Sequence, residues 1–164
     1  MNLKDGLSMA TWGKCDFKQI RELQKRIEKL QKADLQEFCE AVSKELAARL
    51  LAKVIKRTPV GQYPASSGKV GGTLRRGWTG EKKQSVTNYA QSLPVTQKGN
   101  AYEITIINPV EYASYVEFGH RTRNHTGWVE GRFMLTKSEM EVEGQAQKII
   151  EKKLLDYFGE VFND

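Results

Sequence analysis

His120, Asn124 and His125, with Arg121 and Arg123 among them, come nearest in this chain to a reactive set. Two imidazoles and an amide beside guanidinium groups could hold a divalent metal and a phosphate, the chemistry of an HNH-type nuclease. That chemistry needs a strand pair and a helix to frame the histidines, and no carboxylate stands at a suitable spacing as a further ligand. A polar, mobile loop is the better reading of residues 120–132. Residues 68–72 have the glycines of a phosphate cradle, yet no Gly-Lys-Ser/Thr follows to open a helix. Cys15 and Cys39, without a CxxC or a neighbouring histidine, supply neither a zinc set nor an activated nucleophile. No catalytic residue, cofactor or metal is expected, and the chain is not expected to be an enzyme.

Nucleic-acid binding is the next chemistry to weigh. Arg75-Arg76-Gly77-Trp78 joins cations to an aromatic, as single-strand binders do. A strand would put Arg76 and Trp78 on one side and Arg75 on the other, and no recognition helix accompanies them. The net charge of +6 is unevenly spread. Between residues 49 and 83 nine Lys and Arg face Glu81 alone, whereas residues 133–164 hold four Lys and seven acids. A molecule positive in its middle and negative at one end can meet its own copies head to tail, and such contacts close into rings when the rotation permits. The same basic middle could touch DNA non-specifically.

The 164 residues suit one core, and a 39% hydrophobic, 28% charged composition is that of a globular protein. No apolar run approaches the roughly 20 residues that span a bilayer, so no membrane partner is expected. The opening residues lack the apolar stretch of a signal peptide, which predicts use in the cytoplasm.

Residues 1–16 show no period and read as an arm. From Phe17, Ile20, Leu23, Ile27 and Leu30 make a narrow apolar stripe on a helix that must lie on something else. Asp34 and Glu37 form a capping box for a second helix reaching Arg57, with Leu35, Phe38, Cys39, Val42, Leu46, Leu50, Val54 and Ile55 as its core face. Thr58-Pro59 stops it. Residues 61–72 are a Gly-rich flexible loop.

Alternation predicts a strand over residues 73–79, a second over 86–97, a turn at 98–100 and a third over 101–108. Residues 111–118 read as a short helix ended by Gly119. A last helix carries a Thr136/Glu139 capping signal and buries Val142, Ala146, Ile149, Ile150, Leu154, Tyr157 and Phe158. The expected architecture is α+β: a small antiparallel β-sheet packed by two long α-helices, with a short helix and long flexible loops. Residues 1–33 form an arm and amphipathic helix, and residues 34–164 a single domain.

Several segments together resemble the HK97 gp10-like family of phage neck and tail-completion proteins. They are Arg57-Thr58-Pro59-Val60, Gly72-Thr73-Leu74-Arg75-Arg76-Gly77-Trp78, the run from Asn108-Pro109 through Tyr112-Ala113 and Tyr115-Val116-Glu117-Phe118-Gly119 to His120-Arg121, and Gly131-Arg132-Phe133-Met134. Residues 61–72 depart from the family pattern, being longer than its usual Asp-Thr-Gly connection. The resemblance implies a virion protein without catalytic residues: a ring-forming subunit, hexameric, at the head–tail junction or tail end of a tailed phage or phage-like particle. Its implied partners are its own copies and the neighbouring connector and tail-tube proteins, met in the host cytoplasm during assembly. A DNA-binding accessory of phage packaging is the alternative. Arg75, Arg76, Trp78, Arg121, Arg123 and Trp128 are the candidate interface residues, with the core as the competing place for Trp78. On the residues alone, Tyr112, Tyr115, Val116 and Phe118 are the packing face of the short helix.

Overall fold

The structure, a computed structural model, describes residues 35–80 and 84–163, together with Glu22, Lys25 and Glu28, and side chains as far as Gly159. Those three early residues are helical and exposed. The remainder of the helix expected from Phe17, the Asp34 cap and Cys15 lie outside the described residues. The chain divides into a larger unit of residues 34–157 and a smaller one of residues 1–33 with 158–164. The larger unit carries the features that follow.

Helix α1, Leu35–Arg57, has no Gly or Pro, an acid in its first turn (Glu37) and bases in its last (Lys56 and Arg57). These charges suit the two ends of the helix dipole. Only part of the expected apolar face is in the core. Val42, Ala47, Leu51 and Val54 are buried, Leu46 and Leu50 are half-buried, and Leu35 is exposed. The stripe is wide because two different partners share it.

Two of the expected strands are helices. α2 spans Thr73–Gly77 and α3 spans Val86–Ser92. Over five residues the i, i+4 spacing of Leu74 and Trp78 fits either period, but the buried residues are Leu74, Gly77 and Trp78, at helical spacing. In α3 the Ser85 hydroxyl accepts from the Asn88 amide at 3.1 Å, an N-cap. Val86, Tyr89, Ala90 and Leu93 then turn one face to the core. α3 is the element that packs most closely on α1.

β1, Thr96–Lys98, and β2, Ala101–Glu103, form an antiparallel hairpin about Gly99, with Gln97 opposite Tyr102. Beyond β2 the chain stays extended, and burial alternates from Tyr102 through Ile104 and Ile106 to Asn108 without a further ladder. Helix α4, Ala113–Phe118, runs into a second hairpin, β3 (Gly119–Arg121) with β4 (Trp128–Glu130). Residues 120–132 are therefore not the loose loop expected of them. The tip is held by Thr122, whose amide donates to the Gly127 carbonyl at 3.0 Å and whose hydroxyl donates to Asn124 Oδ1 at 2.7 Å. The fold is α+β, with its strands in two separate hairpins.

Helix α5, Met134–Asn163, lies antiparallel to α1. The order of the cross-links shows the direction: Phe38 with Tyr157 (ring centroids 5.2 Å apart), Glu45 with Lys153 (2.8 Å), Lys53 with Glu141 (2.9 Å), and Arg57 with Ser138 (2.7 Å). Its expected buried face is only partly so. Val142 is buried, Ala146 is half-buried and Ile150 is exposed. The core gathers Ala47, Leu51, Val54, Leu74, Trp78, Ala90 and Met134.

Candidate assembly interface

The motif segments, scattered over the sequence, converge on the C-terminal end of α1. Thr58 is fully buried at that point. Its hydroxyl donates to the Val54 carbonyl at 2.6 Å and accepts from Trp78 Nε1 at 2.8 Å. Its carbonyl accepts two bonds from the Arg75 guanidinium, at 3.1 and 2.6 Å. One threonine thus satisfies an indole and a fork of cationic donors where a buried unpaired donor would be costly. Arg57 next to it reaches Ser138 and forms an ion pair with Glu141.

Asn108 fastens the next segment. Its Nδ2 donates to the Leu74 carbonyl at 2.8 Å and its Oδ1 accepts from the Val110 amide at 3.2 Å. The side chain sits where a Cβ on residue 77 would be: such an atom would come within 2.3 Å of Oδ1. Gly77 is required by this close approach.

Glu117 makes the third junction. Almost fully buried, it accepts from the Leu135 amide (2.9 Å), the Thr136 amide (2.9 Å) and the Thr136 hydroxyl (2.8 Å). A carboxylate of α4 therefore caps the N-terminus of α5. In return the Arg132 and Phe133 amides donate to the Val116 and Glu117 carbonyls at 2.8 and 3.0 Å. Thr136 is not the cap expected from its spacing to Glu139; it lies in the first turn and donates to Glu117. Gly119 has φ +88°, and a Cβ there would meet the Val129 carbonyl at 2.4 Å, so the hairpin can lie flat on the end of α4 only with glycine. Its ψ of 172° makes this an extended exit, not the left-handed cap expected.

With the inner face of α4 occupied by Ala113, Val116 and Glu117, Tyr112, Tyr115 and Phe118 point outward. This corrects their assignment as packing residues. Trp128 and Val129, which alternate to opposite faces of β4, and Phe133 before α5 are exposed as well; Phe118 and Trp128 each leave about 60% of their surface open. Phe133 has φ +50°, an outlier for a bulky side chain. Its amide bond to Glu117 holds that conformation, which belongs to the kind of local strain found at functional surfaces.

The six candidate residues fall into two groups. Trp78 is buried in the core and Arg75 is half-buried on Thr58, so both act inside the folded chain. Arg76, Arg121, Arg123 and Trp128 are exposed, and Arg121 stands directly opposite Trp128 in the hairpin. Arg76 bonds to the Gly71 carbonyl and the Thr73 hydroxyl at 3.2 and 3.3 Å. The sequence reading missed Thr58, Asn108 and Glu117 as organising residues. An acid set between Val116 and Phe118 and followed two residues later by glycine was the signal available for Glu117.

Among the described residues no three His, Cys, Asp or Glu side chains converge to hold a metal ion. His120 lies edge-on to Tyr115 at 5.7 Å, and Asn124 is engaged in the hairpin tip. Thr58, Asn108 and Glu117 are thus bound into the frame, with the aromatics turned outward from it. The sequence profile of the family described as "Bacteriophage HK97-gp10, putative tail-component" matches residues 21–119, well over half of the chain. The chain belongs to that family of phage tail components, whose work is structural and is done against other virion proteins. The match ends at Gly119, so β4 and α5 lie beyond it. Neither the curated proteins nor the solved structures offered a match.

Proposed function

We propose that this chain is a ring-forming subunit at the head–tail junction or tail end of a phage or phage-like particle, where it completes or joins the tail. The observation that carries the reading is the outward set of Tyr112, Tyr115, Phe118, Trp128, Val129 and Phe133 on α4, the β3–β4 hairpin and the start of α5. A monomer that left these in water would expose an aromatic patch of the kind that marks a protein interface. Backbone bonds fix the patch to the core, so little ordering entropy opposes docking. Arg76, Arg121, Arg123 and Trp128 belong to this docking surface, and the uneven charge along the chain favours head-to-tail contact, closing as a hexamer as in the family the chain resembles.

The test is light scattering and negative-stain electron microscopy of the purified protein, beside particles assembled without it. Closed rings and unjoined or unfinished tails are expected. A strict monomer at all concentrations, with normally joined particles in its absence, refutes the reading. DNA binding is the second reading, favoured by the Arg121–Trp128 pair on an exposed hairpin. A salt-dependent gel shift on plain duplex DNA, lost on charge reversal at Arg121 and Arg123, would be its signature.

A further inference from the structure

A second surface complements the hairpin. Between α1, the extended segment after β2 and α5 runs an open groove of about 340 Å³. Its floor is apolar, with Leu46, Leu50, Ile104 and Val142, and Glu139 and Glu143 form its lip on α5. These two acids stand four residues apart on one helix, where like charges repel. Among the described residues neither has an ion-pair partner, in contrast to Glu45 and Glu141 on the same interface. The hairpin has the opposite character. Residues 119–132 hold three arginines against Glu130. Arg121 and Arg123 are exposed without an ion-pair partner among the described residues, next to Trp128 and Val129.

We propose that the β3–β4 hairpin of one copy docks into the α1–α5 groove of the next, with Arg121 and Arg123 meeting Glu139 and Glu143. This rests on the ring reading and names its two surfaces. The occupant is a second copy because the charges match and because none of residues 119–133 lines this groove in the folded chain. Bonds from Arg132 and Phe133 to α4 pin it at the N-terminus of α5, while Glu139 to Ala146 lie roughly 7–18 Å further along that helix at 1.5 Å per residue. The two surfaces share no residue. A contact between them is heterologous, the type that repeats around a ring. Apolar contact with the groove floor supplies affinity, and the charges set orientation and rate.

A charge swap tests this. R121E/R123E and E139K/E143K each change exposed side chains only, so both variants should keep the wild-type circular dichroism. Each alone should lose the ring, with assembly weakened on the order of 100-fold by like charges facing each other. Mixed in equal amounts, the acidic hairpin of one meets the basic groove of the other, and rings should return; a chain with all four changes should assemble by itself. Trp128→Ala, which leaves charge untouched, should also weaken assembly. If the wild type forms rings and R121E/R123E forms them equally well, the hairpin serves another partner and the inference fails while the ring reading stands. Loss of rings in both variants without rescue on mixing also overturns it. A monomeric wild type overturns the ring reading itself.

Discussion

Replacing Glu117 by glutamine should cost about 3 kcal/mol, and the figure follows from its three bonds. The carboxylate uses Oε1 for the Thr136 amide and hydroxyl, and Oε2 for the Leu135 amide. Glutamine has the same shape but only one acceptor oxygen. If that oxygen stays with Thr136, which offers two donors, the side-chain NH2 faces the Leu135 N–H and both are left unbonded. An unsatisfied donor in a buried setting costs about 1–3 kcal/mol, and two such donors at the lower end of that range cost about 2 kcal/mol together. Losing the negative charge at a helix N-terminus removes about 1 kcal/mol more in a partly buried geometry. Against a domain stability of about 5–15 kcal/mol this is a large fraction. At about 2–4 °C per kcal/mol for a chain of this size, the midpoint should fall by roughly 6–12 °C.

Urea titration followed by far-ultraviolet circular dichroism measures this change, with Glu130→Gln, an exposed acid of the same hairpin region, as control. The control should stay within about 0.5 kcal/mol of the wild type. Should Glu117→Gln also stay within that margin, the cap contributes nothing net. The account of how α4 fixes α5 would then be refuted.

Glycines supply a paired test. Gly77→Ala puts a methyl 2.3 Å from Asn108 Oδ1 and must displace that side chain from the Leu74 carbonyl, at a cost of about 2–3 kcal/mol in the same titration. Gly144→Ala, inside α5 with nothing within 4 Å of the new methyl, should stabilise by about 0.5–1 kcal/mol. Acid should loosen α1 from α5. Lys53 first and then Arg57 hold the Glu141 carboxyl below its ordinary 4.5, and Lys153 and then Arg49 do the same for Glu45. The unfolded chain therefore binds more protons just below that value, so the stabilisation present above about 4.5 is lost as pH falls through the folded values. Urea midpoints should be level from neutral pH to about 5 and decline below 4.5, less steeply in Glu141→Gln.

The long elements were legible because their signals are long. Twenty-three residues of α1 without Gly or Pro leave no rival to a helix, and Thr58-Pro59 marks its end. The short elements failed where two periods fit the same few residues. Leu74 and Trp78 are four apart, which suits a strand face and a helical turn alike, and the helix goes with what packs there: Trp78, at its C-cap, donates its indole N–H to Thr58. In α3 the helix starts from the Ser85 hydroxyl capping the Asn88 amide, a start signal that the strand reading of residues 86–97 left unused. The hairpin at residues 119–130 was hidden by its polar composition. Its order comes from Gly119, from Thr122 at the tip and from the bonds joining Arg132 and Phe133 to α4. The outward face of α4 was misassigned for a reason of chemistry. Tyrosine and phenylalanine at positions 112, 115 and 118 read as core, but the buried place on that helix belongs to an acid.

That inversion bears on function. A short helix with three aromatics on one face and Ala113, Val116 and Glu117 on the other has two possible orientations, and burying the aromatics would remove more apolar surface from water. The chain adopts the orientation with the smaller apolar gain because Glu117, turned inward, caps a 30-residue helix at the junction where the Val116 and Glu117 carbonyls accept from the Arg132 and Phe133 amides. With Glu117 outward, the first amides of α5 would lack that acceptor and Phe133 would lose the bond that holds its positive φ. The same carboxylate therefore orders the core and keeps Tyr112, Tyr115 and Phe118 available outside it. Weakening the cap should disturb folding and docking together, whereas changing Arg121 and Arg123 should disturb docking alone. That separation distinguishes a surface kept open by the fold from one left exposed by chance.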